Sequence, residues 1–323
     1  MRKILITGGA GNIAGSLACK LVEDPETFVV VVDNLTTGSV KKLPPPSDNF
    51  KFIKADVNHF RDISPIMTAY QFDYVFHYAA MVGVQRTLDN PIKVLEDIDG
   101  IKNILDLAKN TGVKRVFYSS SSEVYGEPVS LPQHEETTPL NSRLPYAVVK
   151  NVGEAFFRSY QQEFGLDFTI FRFFNTYGPR QSDDFVLPKF LHAALSGRDI
   201  PIYGNGSQTR TFCYVDDNIE ATMRTLDKDW CINETINVGN DHEVTILQLA
   251  NLIIDLTNSK SKVIHLAPLK EGDMTRRQPD ISKMKAILGR PLTTLEEGIQ
   301  KMLQTSGIGP GSKSGGKMTS VIR

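Results

Sequence analysis

The sequence predicts an α/β fold in which a doubly wound parallel sheet carries helices on both faces. Phe28 to Val32 is an uninterrupted β-branched and aromatic run that stops at Asp33, and such runs are typical of parallel strands covered on both faces. Lys3 to Thr7 is a short apolar run that ends at Gly8-Gly9, as a buried strand does where it enters a loop. Runs of strand and helix character then alternate along the first half of the chain, which indicates a parallel sheet.

The alternation predicts the remaining elements of this sheet in order. Asn12 to Glu23 has helical spacing of its apolar residues Ile13, Leu17 and Leu21. Further strands are predicted at 50–54, 74–77, 115–119 and 168–173, and further helices at 92–109 and 146–164. We therefore assign residues 1–175 to one sheet-based domain.

The pattern changes after about Asn175. Pro179, Pro188, Pro201 and Gly204-Asn205-Gly206 divide the chain into short elements. A smaller, discontinuous α/β domain is predicted for residues 176–305, and part of it is expected to return to the first sheet. A clear amphipathic helix is predicted from Thr245, its cap, to Leu256. Residues 306–323 are rich in Gly, Ser and Lys, which predicts a disordered tail.

Composition excludes several function classes. The 323 residues carry a net charge of −1, and the pI is near 6.6. We therefore expect neither nucleic acid nor an anionic membrane as a partner. Cys19, Cys213 and Cys231 are widely spaced and form no zinc pattern or disulfide framework, which indicates a reducing cytoplasm. No apolar run of 18 residues is present, and no metal site is predicted.

The glycine-rich turn after the first strand predicts a dinucleotide site of the Rossmann type. Gly8 allows the tight turn, and Gly11 lets the backbone approach a pyrophosphate, which then rests on a helix N-terminus. Asp33 ends the next strand, where an acid binds ribose hydroxyls and repels a 2′-phosphate. The cofactor predicted is therefore NAD rather than NADP. Asp56 and Val57, after the third strand, are placed to meet the adenine.

A hydroxyl cluster and a tyrosine–lysine pair indicate the chemistry. Ser119 to Ser122 precede Glu123, and Tyr146 and Lys150 are the one Tyr-x-x-x-Lys pair of the sequence. Residues four apart share one face of a helix, and an ammonium beside a phenol favours the phenolate. Such a pair can remove a proton from an alcohol.

Together these residues resemble the extended short-chain dehydrogenase/reductase family, in its nucleotide-sugar epimerase, dehydratase and decarboxylase branch. The resemblance extends from Met1 to about Leu303. Its motifs are Thr7 to Gly11, Phe76 to Ala80, Ser120 to Gly126, Tyr146 to Lys150, Arg172 to Arg180, Tyr203 to Phe212, Tyr214 to Asp217 and Glu271 to Asp273. It implies a tightly held NAD, a UDP-sugar substrate and a homodimer formed through the helices at 92–109 and 146–164.

The resemblance also implies roles for individual residues. Tyr146 is the base, Lys150 holds the nicotinamide ribose and lowers the tyrosine pKa, and Ser121 binds the sugar 4-hydroxyl. The other cofactor contacts it implies are Asn12, Ile13, Asn34, Ala79 and Ala80. Asn175 and Arg210 match groups that bind the substrate diphosphate, and Arg277 matches a position near the diphosphate or a carboxylate.

Three positions depart from the family pattern. Ala14 replaces the third glycine of the turn, and Asn12 replaces an aromatic residue. Neither change should abolish NAD binding. Asp97 stands where relatives often carry Asn, which affects a structural contact and not the chemistry.

The motifs leave the reaction open. A 4,6-dehydratase needs an Asp-Glu pair where this chain has Ser122-Glu123, which argues against dehydration. Ser121, Ser122, Glu123 and Arg277 match a UDP-glucuronate decarboxylase, but the segments Gln181 to Val186 and Ala147-Val148 do not.

A 4-epimerase needs only Ser121, Tyr146 and Lys150. Gln278 stands where a bulky Tyr often excludes N-acetyl groups, so it could bind a 2-acetamido group. The sequence therefore favours a 4-epimerase of UDP-GlcNAc or UDP-glucose, with the decarboxylase as the alternative. A hypothesis from another functional class is a binding protein without catalytic activity, and the Tyr146/Lys150 pair argues against it.

Overall fold

The computed structural model describes residues 1–267 and 276–305, except for the side chains of Val84 and Gln85. Two of the sequence features, the Glu271–Asp273 motif and the tail at 306–323, lie outside the described residues. The strands are β1 (Arg2–Thr7), β2 (Thr27–Asp33), β3 (Phe50–Lys54), β4 (Tyr74–His77), β5 (Arg115–Ser121), β6 (Asp167–Phe173), β7 (Thr176–Tyr177), β8 (Ile200–Tyr203), β9 (Thr209–Thr211), β10 (Cys213–Tyr214), β11 (Glu234–Val238), β12 (Glu243–Thr245) and β13 (Val263–Leu266).

The α-helices alternate with these strands in the first half of the chain and cluster between short strands in the second. They are α1 (Asn12–Leu21), α2 (Phe60–Tyr70), α3 (Val84–Asp89), α4 (Pro91–Leu95), α5 (Asp97–Thr111), α6 (Pro145–Phe164), α7 (Val186–Leu195), α8 (Val215–Arg224), α9 (Ile246–Thr257), α10 (Ser282–Leu288) and α11 (Leu295–Thr305). The helix predicted at 92–109 is thus two consecutive helices that meet at Glu96. Thr245 caps α9 as predicted, since its side chain accepts from Gln248 N in a capping box.

Seven strands form one parallel sheet in the order β11-β6-β5-β4-β1-β2-β3, which confirms the doubly wound fold. The strand order reverses at β1, where β2 lies on one side and β4 on the other. β11 follows the irregular second half and pairs with β6, so part of that half does return to the first sheet.

The core fills both faces of the sheet. Ile4 and Ile6 of β1 pack into one apolar cluster and Leu5 into the other, because successive side chains of a strand point to opposite faces. The boundary at Asn175 between two domains stays a prediction. The segments beyond it add three small sheets, which pair β7 with β10, β8 with β13 and β9 with β12.

Candidate active site

A cavity of about 560 Å³ lies where the carboxyl ends of the central strands meet the chain beyond Asn175. Residues that end or follow β1, β2, β3, β4, β5 and β6 all contribute to its walls. Ligands of open parallel sheets bind at this edge, beside the point where the strand order reverses. The fold therefore brings the two regions that the sequence singles out, the glycine-rich turn and the serine cluster, into one cavity.

The glycine-rich turn leaves room for an anionic ligand. Gly8 has a φ of +70°, and a Cβ there would lie 2.7 Å from the backbone of Ala79. Gly11 caps α1, and no side chain accepts from the first-turn amides of this helix at its cap. These N–H groups and the helix dipole form a site for a phosphate.

The acids after β2 and β3 line the same cavity. Asp33 accepts hydrogen bonds from Ala10 N at 3.0 Å and from Leu35 N at 2.7 Å, so its carboxylate also fixes the glycine-rich turn. Asn34 donates to Asp56 at 2.8 Å and joins the two loops. Val57 lies beside them in the cavity wall. An acid held in this way suits the adenosine ribose of NAD, which has two free hydroxyls.

Tyr146 and Lys150 lie on the first turns of α6 and face the cavity. The Lys150 ammonium donates to the carbonyl oxygen of Ser119 at 2.6 Å and lies 5.8 Å from the centroid of the Tyr146 ring. Burial lowers the pKa of Lys150 to about 8, and the carboxylate of Asp97 opposes that shift. Burial raises the pKa of Tyr146, while its hydrogen bond with Ser121 and the charge of Arg277 act in the other direction. The groups that favour the Tyr146 phenolate are thus Ser121 and Arg277.

A buried ion pair lies beside this tyrosine. Glu123 and Arg277 are 2.6 Å apart, with side chains only 18% and 7% exposed. Arg277 also donates to the Ser122 hydroxyl at 3.4 Å, and Ser121 caps the 3₁₀ turn Ser122–Tyr125. The second carboxylate oxygen of Glu123 is buried and has no hydrogen-bond partner among the described residues. An oxygen of this kind, in a cavity wall, is a site where a ligand can donate.

The cavity brings together most of the site residues that the sequence predicts. Its walls include Gly8, Gly11, Asn12, Ile13, Asp33, Asn34, Asp56, Val57, Ala79, Ala80, Ser121, Ser122, Glu123, Tyr146, Lys150, Asn175 and Arg277. Arg210 and Gln278 are not part of these walls. Arg210 donates to the carbonyl oxygen of Thr209 at 2.8 Å, and Gln278 donates to that of Asp241 at 3.3 Å.

Asp97 lies in the cavity wall, although its position in the sequence predicted only a structural contact. It accepts from Met81 N at 2.8 Å. Burial raises its pKa, and the nearby charge of Lys150 opposes that effect. The sequence carried a signal for this interaction with Lys150, because Asp97 is charged where many relatives carry a neutral Asn.

The fold, the glycine-rich turn and the Tyr146/Lys150 pair define a short-chain dehydrogenase/reductase of the extended type. The chain belongs to the family whose model is described as GDP-mannose 4,6 dehydratase, which matches residues 5–302.

Two curated relatives are decarboxylases. UDP-glucuronic acid decarboxylase 1 of Danio rerio is 37% identical over 313 residues, which cover 94% of this chain and 72% of that protein. UDP-N-acetyl-alpha-D-glucosaminuronate decarboxylase of Bacillus cytotoxicus is 36% identical over 319 residues, covering 94% of this chain and 97% of that protein.

Two similar solved structures are epimerases. UDP-glucose 4-epimerase of Thermotoga maritima, solved with UDP-glucose, has a TM-score of 0.88 and 30% identity, covering 94% of this chain and 98% of the other. UDP-glucuronic acid 4-epimerase of Bacillus cereus, solved with UDP-glucuronic acid and NAD, has a TM-score of 0.84 and 28% identity, covering 94% and 99%. Enzymes of this family thus use NAD.

Among residues 1–267 and 276–305, no helix is long and apolar enough to span a bilayer. The same residues contain no group of three or more His, Cys, Asp or Glu side chains that could hold a metal ion. Asp216 and Asp217 lie in the first turn of α8, where acids interact favourably with the helix dipole.

Proposed function

We propose that this protein is an NAD-dependent decarboxylase of a UDP-hexuronate. The observation that carries the proposal is the buried Glu123–Arg277 pair, which lies in the cavity wall beside Ser121 and Tyr146. A guanidinium binds a carboxylate through two parallel hydrogen bonds, and a buried site strengthens that interaction. Arg277 can therefore hold the sugar carboxylate next to the groups that act on the sugar ring.

The first step is proton removal from the sugar 4-hydroxyl. Tyr146 accepts this proton, Ser121 orients the hydroxyl, and the charge of Arg277 stabilises the phenolate. Lys150 stays where its ammonium can bind ribose hydroxyls, because the Ser119 carbonyl holds it. NAD, when bound, supplies the acceptor of hydride from C4 and later the donor to the same carbon.

The second step is loss of CO2. A 4-keto hexuronate is a β-keto acid, so the C5–C6 bond breaks and its electron pair moves into an enolate across C5, C4 and the keto oxygen. A proton then adds at C5. The balance is one UDP-hexuronate and one proton in, one UDP-pentose and one CO2 out. The enolate oxygen develops charge beside Ser121 and Tyr146, which are the groups placed to stabilise it.

Glu123 acts on the carboxylate rather than on C4. When a sugar carboxylate binds Arg277, two carboxylates share one buried guanidinium. Repulsion between like charges then raises the free energy of the bound carboxylate, and the loss of CO2 relieves this repulsion. The second carboxylate oxygen of Glu123, which has no hydrogen-bond partner among the described residues, can also accept a proton and pass it to C5.

A 4-epimerase is the second candidate. Ser121, Tyr146 and Lys150 suffice for that reaction, and similarity to solved epimerases supports it. The segments Gln181 to Val186 and Ala147-Val148 also differ from decarboxylases. Gln278, however, donates to Asp241 and does not line the cavity, so the feature that pointed to an N-acetyl sugar does not add support.

The test is a side-by-side incubation of the protein with UDP-glucuronate, its 2-acetamido analogue, UDP-glucose and UDP-GlcNAc, followed by mass-resolved chromatography. We expect a UDP-pentose from at least one uronate and no change in either neutral sugar. If every product has the same mass as its substrate, the proposal of a decarboxylase is wrong and the protein is an epimerase. Products that have lost water would indicate a dehydratase.

A further inference from the structure

Asn237 of β11 lies at a buried point where four separate segments of the chain meet. Its side-chain nitrogen donates to the carbonyl oxygens of Gln133 at 2.9 Å and Asp280 at 3.1 Å. Its side-chain oxygen accepts from the hydroxyl of Tyr125 at 2.8 Å. Its backbone nitrogen donates to the carboxylate of Glu135 at 2.8 Å. The residue is fully buried, and its bonds to Gln133, Tyr125 and Glu135 are protected from water.

One end of the Asn237 amide is tied to the segment that carries Arg277. Asp280 follows Arg277 by three residues. Gln133 holds this segment from the other side, because Gln133 N donates to the carbonyl oxygen of Gln278 at 2.7 Å and Asp280 N donates to that of Gln133 at 2.8 Å. The amide nitrogen of Asn237 therefore binds both of these paired segments, through the carbonyl oxygens of Gln133 and Asp280.

The other end of the amide is tied to the turn that carries Glu123. Tyr125 is the last residue of the 3₁₀ turn Ser122–Tyr125, two positions after Glu123. Asn237 is itself fixed in the parallel sheet by its pairing with Arg172, and its amide joins the Tyr125 side chain to the backbone of Gln133 and Asp280.

The Tyr125 end of this network is braced by a buried ion pair. Arg172 donates to the Tyr125 hydroxyl at 2.8 Å and makes two hydrogen bonds to Glu154, at 2.9 and 2.7 Å. Glu154 in turn accepts from the hydroxyl of Ser120 at 2.6 Å, next to Ser121 in β5. A continuous set of buried hydrogen bonds thus joins the strand that ends in Ser121 to the segment that carries Arg277.

We propose that Asn237 is a positioning residue, which holds Arg277 at the distance from Glu123 that binding of a sugar carboxylate requires. The inference rests on the proposed function in one respect, the role of Arg277 as a substrate-binding group. Asn237 does not line the cavity, so it acts through the backbone carbonyl of Asp280 and the side chain of Tyr125.

A double-mutant cycle between Asn237 and Arg277 tests this inference. The readout is the Kd of UDP-glucuronate or its 2-acetamido analogue, measured by calorimetry, because binding can be measured in variants without turnover. We expect Asn237→Ala to raise this Kd by about tenfold in the wild-type background and by less than about twofold in the Arg277→Ala background. The Kd of UDP alone should stay unchanged, since it makes no use of the Arg277–Glu123 pair.

Two further variants keep the test decisive. Tyr125→Phe removes the hydroxyl that binds the Asn237 amide oxygen and Arg172, and it leaves the bonds of the amide nitrogen intact, so it should show the same dependence on Arg277 if Asn237→Ala does not fold. Asn49→Ala is the matched control, because Asn49 also donates to several carbonyls, those of Val22, Asp24 and Thr27, far from Arg277. It should lower stability without changing the Kd of the UDP-uronate.

Equal effects of Asn237→Ala in both backgrounds, or a parallel loss of UDP affinity, would overturn the inference, because a general loss of structure gives that pattern. So would an Arg277→Ala protein that binds the sugar normally. If a neutral UDP-sugar proves to be the substrate, the cycle is still run with the UDP-uronate, because its carboxylate is the group that this inference concerns. Failure of the proposed function then appears in the reaction products, and failure of this inference appears in the cycle.

Discussion

The guanidinium of Arg277 and the carboxylate of Glu123 meet at 2.6 Å, although 154 residues separate them along the chain. Both charges are largely buried, and removal of one partner from such a pair leaves the other uncompensated. The pair therefore requires a functional or structural reason. Its place in the cavity wall, beside the tyrosine and serine to which the proposed mechanism assigns the sugar hydroxyl, supplies the functional one.

Arg277→Ala should lower kcat/KM for the UDP-uronate by at least about a hundredfold, because the carboxylate loses its charged partner. Arg276→Ala is the matched control. Arg276 is the adjacent residue, but its side chain is 52% exposed and pairs with Glu243 at the surface, so its loss should change kcat/KM by less than about twofold. Steady-state kinetics on both variants checks this. Similar effects of the two substitutions would contradict the role given to Arg277.

Tyr146→Phe should reduce turnover by about 10²- to 10⁴-fold, which is the usual contribution of a positioned acid–base group. NAD should remain bound, since the change removes one hydroxyl. Tyr160→Phe, on the same helix, removes a hydroxyl that donates to Asp106 away from the cavity, and it should keep full activity. Retention of turnover by the Tyr146 variant would rule out the mechanism for every reaction considered.

Asp97→Asn should move the alkaline limb of the pH–rate profile to lower pH. Lys150 has a pKa of about 8, so its ammonium is present below that pH and activity falls as the pH rises through it. The Asp97 carboxylate raises the Lys150 pKa, and its removal lowers that pKa further. Asn can still accept from Met81 N, so the backbone contact survives. Asp99→Asn, on the exposed face of α5, should leave the profile unchanged. An alkaline limb that stays in place or moves to higher pH would refute the assignment of this limb to Lys150.

Gly8→Ala should destabilise the protein more than Gly165→Ala. Both glycines have a positive φ, +70° and +67°, so alanine is strained by about 1–2 kcal/mol at either position. Only at Gly8 would the new Cβ meet backbone atoms, those of Ala79 at 2.7 Å, whereas nothing lies within 4 Å at Gly165. Overpacking adds about 1–3 kcal/mol. Denaturant unfolding of both variants measures the difference in the free energy of unfolding. Equal losses would contradict the predicted clash between the Gly8 turn and Ala79.

The sequence predicted the parallel strands well, because strands buried on both faces are continuous apolar runs. Elements with weaker local signals were missed. Helix α2 contains Pro65 and several polar residues, and it received no assignment. The return of the chain to the sheet was predicted, but β11 was not located, since Glu234 to Val238 is short and includes Asn237 within its buried run.

The site residues also differ in how well the sequence predicts them. Tyr146, Lys150 and Ser121 could be placed from local motifs, whose spacing fixes their direction on a helix or strand. The partners of Arg277 could not be placed, because they depend on how the segment at 276–280 packs against Gln133 and Asn237. The same reason explains why Arg210 and Gln278 were expected at the cavity but do not line it. Long-range packing, and not residue type, decides these positions.

The most direct measurement follows the carboxyl carbon of the substrate. The protein is incubated with UDP-hexuronate labelled with ¹³C at C6, and the label is followed by NMR as the nucleotide products form. Decarboxylation predicts that the label appears as CO2 and bicarbonate, with an unlabelled UDP-pentose in equal amount. Retention of all the label in a UDP-sugar isomer would contradict the account.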